Sequence, residues 1–156
     1  MNKTTNFLLA VILVAVLINL ALTTIMLGRQ TAAESVDRLD RDIATAWGDR
    51  VVELYNRQDH AALHALFSPE ARIKIGEQQL AGQLRKLHDL FGSIDDFVYA
   101  NSVRLGEKAG ASYYQVFFDA RVSARDSPAT LKLSLVVEDE TVSLYGMRIN
   151  ASESLD

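Results

Sequence analysis

An α+β fold is predicted by three features of the chain. Apolar residues recur at three- and four-residue steps in its first half, they alternate in its second half, and short turn sequences separate the alternating stretches. Helices followed by a run of strands imply helices packed on one face of a curved antiparallel sheet of about four strands. A long apolar run, residues 7–27, precedes both parts and predicts an N-terminal transmembrane helix. The expected order is a short tail (1–6), an anchor (7–28), a juxtamembrane helical stalk (29–42), the α+β domain (43–150) and a loose polar tail (151–156).

The apolar run holds 21 residues, of which Asn19, Thr23 and Thr24 are polar. As a helix it measures about 30 Å, the thickness of a hydrocarbon core. A cleaved export signal has a shorter apolar stretch of roughly 7–15 residues before a small-residue site. Residues 31–35, TAAES, offer Thr31 and Ala33 for such a site, but the length favours a retained, single-pass signal anchor. Counting Lys3 against Arg29, Arg38 and Arg41 points the following domain into the cytoplasm. A short tail before one long apolar helix points the other way, and long domains translocate largely regardless of charge. The expectation is a cytoplasmic N-terminus and a periplasmic or otherwise extracytoplasmic domain at a bacterial-type inner membrane. Ala15, Asn19 and Thr23 are spaced by four, so they form one stripe on such a helix. Small and hydrogen-bonding residues are what helices use to approach one another in lipid, so this stripe is a candidate contact surface.

Residues 33–57 are predicted as the first helix after the anchor, with Val36, Leu39, Ile43, Trp47, Val51 and Leu54 on one apolar stripe and Gly48 as a weak point or bend. Asp59 is a candidate N-cap for a short helix carrying Leu63, Leu66 and Phe67, which Ser68 and Pro69 would stop. Residues 72–75, RIKI, alternate and are expected to form a short strand. The next helix covers residues 77–92, with Leu80, Leu84, Leu87 and Phe91 inward and Gly92 as its C-terminal cap. Four strands follow, starting near Asp96, Ala111, Ala129 and Glu140. GEKAG (106–110), RDSP (125–128) and the acidic EDE (138–140) supply the turns.

The totals exclude several classes of function. The chain has no cysteine, so disulfides, thiolate chemistry and thiolate metal sites are absent. With 20 acidic and 16 basic residues, net charge −4, and the basic ones scattered, no nucleic-acid surface is expected. There is no phosphate loop, nucleophile elbow or nucleotide fingerprint, and no cofactor is expected. His60 and His64 share a helical face near Asp59. Two histidines without a further clear ligand make a poor zinc site, and no metal is expected.

The stretch LYNRQDHAALHALFSPEARIKI (54–75) resembles the nuclear-transport-factor-2-like superfamily, a cystatin-like α+β cone. There a first helix ending in aliphatic and aromatic residues is followed by an acidic residue, a short leucine-rich helix and a strand. Leu54, Tyr55, Asp59, Leu63, Leu66 and Phe67 stand in those places. The anchored layout also resembles the bitopic inner-membrane components of type IV secretion systems. The first resemblance implies either an enzyme with a pocket inside the cone or a non-catalytic dimerising or scaffold domain. As an enzyme, Asp119 and Tyr113 would be the acid–base candidates. As an interaction domain, the sheet face carrying Tyr113, Gln115, Phe117, Asp119 and Arg121 would meet a partner. The non-catalytic reading is favoured: an accessory or assembly subunit that meets other membrane-protein subunits or a second copy, and touches the lipid bilayer.

Overall fold

The computed structural model describes residues 38–151, which form one compact unit. Four helices come first: α1 (Arg41–Asn56), α2 (His60–Ala65), α3 (Pro69–Lys74) and α4 (Glu77–Phe91). Four strands follow: β1 (Ile94–Lys108), β2 (Ala111–Val122), β3 (Ala129–Glu138) and β4 (Thr141–Ala151). They form a single antiparallel meander in the order β1-β2-β3-β4. The α+β class and the strand count agree with the sequence pattern. Among the described residues no helix is long and apolar enough to cross a membrane. The apolar run with Ala15, Asn19 and Thr23 lies outside the described residues, as do residues 152–156.

α1 starts at Arg41, near the end of the expected stalk (29–42), and residues 38–40 before it are not helical. Asp40 leaves the helical region (φ −52°, ψ 135°), and its carboxylate accepts from the amides of Asp42 and Ile43. That cap satisfies two otherwise orphaned donors and fixes the first turn. Leu39 is therefore off the helical stripe. It is buried, and its carbonyl accepts a hydrogen bond from the Ser102 hydroxyl at 3.3 Å. The unit begins before residue 43, and Ala151 closes β4 where a loose tail was expected. The buried face of α1 is also rotated from the expected one. Ala44, Gly48, Val51, Val52 and Tyr55 face inward, while Ile43 is exposed.

Gly48 sits inside an unbroken helix. A Cβ there would stand 2.7 Å from Phe118 Cζ and 3.1 Å from Phe97 Cε2, so the missing side chain admits the aromatic rings. Phe97 and Tyr99 meet Phe118 edge-to-face, with centroids at 5.6 and 6.1 Å. The last turn of α1 is fixed to the start of the sheet. Asn56 donates to the Ile94 carbonyl and accepts from the Ile94 amide, each at 2.8 Å. Tyr55 donates to the Gly92 carbonyl at 3.1 Å, and burial pushes its hydroxyl up to about 12. It is therefore a neutral donor throughout the ordinary pH range.

Asp59 caps α2 as expected, accepting from the Ala62 amide. α2 ends at Ala65 because the following backbone pairs with the sheet. Ser68 N–H donates to Leu144 O at 2.7 Å, and Leu144 N–H donates to Leu66 O at 2.8 Å. Residues 72–75 do not form the expected strand. Ser68 accepts from the Ala71 amide as an N-cap and Pro69 opens a new helix, α3, that runs to Lys74. α4 and its Gly92 cap, at φ +70°, follow the sequence reading.

One face of the sheet builds the core. Val116, Phe118, Ala120 and Val122 of β2 lie beside Leu131, Leu133 and Leu135 of β3 and Leu144 and Ile149 of β4. The intervening residues point away from the core.

Candidate functional site

On β2 the outward residues are Tyr113, Gln115, Phe117, Asp119 and Arg121, opposite the Val116–Phe118 side. The period of two in the sequence places all five on one face, as expected. They differ in their surroundings. Phe117 lies under Lys132, whose Nζ is 5.3 Å from the ring centroid. Asp119 and Arg121 are exposed and line a shallow acidic depression with Asp96, Val98 and Asp126. Tyr113 lies at the other end of the strand. Six residues separate it from Asp119, about 20 Å along an extended chain. The two do not converge on one reacting atom, and Asp119 faces solvent rather than the helix-covered interior.

Tyr113 belongs to a groove of about 450 Å³ on this same face. α3 contributes Glu70 and Lys74, the end of β1 contributes residues 105–108, and Ser134 and Tyr145 come from β3 and β4. A bulge brings Tyr145 here. Leu144 pairs with Leu135 and Gly146 with Ser134, so Tyr145 is the extra residue. Its ring meets Tyr113 edge-on at 5.5 Å. Lys74 Nζ donates to Glu70 Oε1 at 2.8 Å and to the Tyr145 hydroxyl at 2.9 Å.

The electrostatics follow from these contacts. The hydrogen bond from Lys74, then its charge, holds the Glu70 carboxyl below the usual carboxylate range. The bonds to Glu70 and Tyr145 raise Lys74 above an ordinary lysine. Desolvation, then the Glu70 charge, raises Tyr113. Near neutral pH the groove therefore presents an ion pair beside the neutral Tyr113 phenol. Lys74 is held protonated, so it is no amine nucleophile, and Glu70 is held ionised, so it has no proton to donate.

On the helix side the Phe97–Tyr99–Phe118 cluster packs directly against Gly48. Two of the three histidines, His64 and His88, have side-chain contacts. His64 Nε2 is 3.0 Å from the Ile75 carbonyl, its ring lies over Phe67, and His88 lies against Tyr55. Among the described residues no group of three or more histidine and carboxylate side chains could hold a metal ion.

Glu70, Lys74 and Tyr145 were not among the residues singled out by the sequence pattern. Glu70 and Lys74 have the four-residue spacing of a helical ion pair, but that spacing counts only once the segment is seen as a helix. The chain matches no known family model and no curated protein. Its function is therefore read from the site's own geometry.

Proposed function

We propose that this chain is a single-pass membrane-anchored accessory or assembly subunit of a membrane protein complex, using a non-catalytic α+β domain for protein interaction. The observation that carries this reading is the sheet face opposite the Val116–Phe118 core side, which α3 borders at the Tyr113 end. There Tyr113, Gln115, Phe117 and Tyr145 stand among Lys74, Lys132 and Arg148. Aromatic groups ringed by polar ones are the composition of a protein contact surface. The apolar residues 7–27 supply the anchor, and the Ala15–Asn19–Thr23 stripe supplies a second contact within the bilayer. The signal-anchor layout supports a periplasmic domain on an inner membrane, which matches the layout of secretion-type envelope components.

Two surfaces give two variants. Purified in mild detergent, the wild-type chain is expected to bring one or more membrane proteins with it in fixed proportion. Phe117→Asp is expected to lose them while remaining cooperatively folded, and Asn19→Leu to reduce the recovery. A monodisperse, solitary chain that behaves alike in all three forms would overturn the reading.

A second reading is favoured by the groove itself. Its volume and two phenols suit a small ligand held on the outer face of the sheet, without turnover. A bound molecule displaced by Tyr113→Ala and Tyr145→Ala together, with protein partners unaffected, would select it.

A further inference from the structure

We infer that the C-terminal half of β1, at Val103 and Leu105, rests on the surface of the lipid bilayer. The inference depends on the reading of residues 7–27 as a membrane anchor. Large aliphatic side chains exposed among the described residues are Ile43, Ile73, Leu90, Val98, Val103 and Leu105. Three of these six lie on β1, with Val98 57%, Val103 43% and Leu105 60% exposed, and Ile43 is in the first turn of α1.

Their position relative to the tether identifies what covers them. The chain enters the described unit at Leu39, whose carbonyl is bonded to Ser102. Val103 is the next residue on that strand, and Leu105 lies within about 10 Å along it. Leu39 follows the last residue of the apolar run, Leu27, by 12 positions. That length reaches about 40 Å fully extended. Of the four strands, β1 is the one held by the tether, and β4 lies three strand spacings farther, about 14 Å. Exposed aliphatic groups and the tethering point thus share one edge.

A strand added by another protein fits this edge poorly. The pairing of β1 with β2 shifts register at Ile94/Asp96, Tyr99/Asn101 and Arg104/Gly106. Bulges of this kind twist an edge away and interrupt its row of backbone groups. What β1 offers is side chains, which a lipid surface accepts without matching a register.

Charge selects which half of the strand makes contact. Arg104, Glu107 and Lys108 leave the Leu105 end at +1, with Arg104 bonded to Glu107 at 2.8 Å. Val98 lies among Asp96, Asp119, Asp126 and Arg121, a local balance of −2. An anionic leaflet attracts the first end and repels the second. Leu105 is therefore the deepest point, and Val98 is held off.

The chain has no cysteine, so single nitroxide labels can be placed in the full-length protein. Leu17→Cys, Val98→Cys, Leu105→Cys and Ile73→Cys would be labelled and reconstituted into phosphatidylcholine–phosphatidylglycerol vesicles. Collision with oxygen, which concentrates in lipid, is compared with collision with a water-soluble nickel chelate. At Leu105 the oxygen-to-nickel ratio is expected severalfold above that at Ile73, with Val98 between them and Leu17 highest. A ratio at Leu105 equal to that at Ile73, with Leu17 in lipid, overturns the inference and leaves the anchor standing. Protection of Leu105 from both reagents overturns it in favour of a protein contact. A water-exposed Leu17 removes the anchor reading, and the inference with it.

Discussion

Gly48 allows α1 to lie directly on the aromatic rings of the sheet. In an exposed helix, replacing glycine by alanine stabilises by about 1 kcal/mol. Here the new methyl would stand 2.7 Å from Phe118 Cζ and 2.8 Å from Phe118 Cε1, and the Phe118 ring is fully buried and cannot swing away. Overpacking of this kind costs about 1–3 kcal/mol. Gly48→Ala is therefore expected to destabilise by roughly 1 kcal/mol net, the strain exceeding the gain in helix propensity. Urea unfolding of the full chain in mild detergent measures it. Adding Phe118→Leu should cost less in the Gly48→Ala background than alone, because the smaller side chain relieves the clash. Strict additivity would show that the two residues do not share the space.

Two-residue turns close both the β1–β2 and the β3–β4 hairpins, and both central residues of each have positive φ. That backbone matches the twist of the flanking strands. The first turn uses Ala109 and Gly110. The second uses Asp139 (φ 47°) and Glu140 (φ 63°), without a glycine. A side chain in the left-handed region costs about 1–2 kcal/mol. Glu140→Gly is expected to stabilise by about 1 kcal/mol, less than the full relief because glycine also frees the unfolded chain. A thermal melt lower than that of the wild type would refute this. These turns also show what the sequence made legible. EDE and GEKAG marked both hairpins, and alternation placed Tyr113, Gln115, Phe117, Asp119 and Arg121 on one face. The α3 segment was not legible, because Ser68 and Pro69 serve as a stop for one helix and as the cap and first residue of the next. Apolar alternation in RIKI then imitated a strand, although Ile73 is 86% exposed on a helix. Half of the groove was hidden with it. Glu70 and Lys74 became neighbours only through that helix, and Tyr145 joined them only through a bulge that pairing decides.

At the scale of the whole molecule, the sheet separates stability from recognition. Leu133 is fully buried on the helix-covered face, whereas Phe117 on the same sheet is only partly buried and meets Lys132. Leu133→Ala should cost about 2–5 kcal/mol, since the cavity it leaves cannot collapse beneath a continuous sheet. Phe117→Ala loses little besides its contact with Lys132, about 0.5–1 kcal/mol at an exposed site. Parallel denaturation of the two variants tests whether the outer face is free. Equal losses would mean that Phe117 belongs to the core, and the outer face would no longer be a surface on which to seek a partner. With a large and a small loss, the two roles lie on opposite sides of one layer. Phe117→Asp can then remove a partner without unfolding the chain.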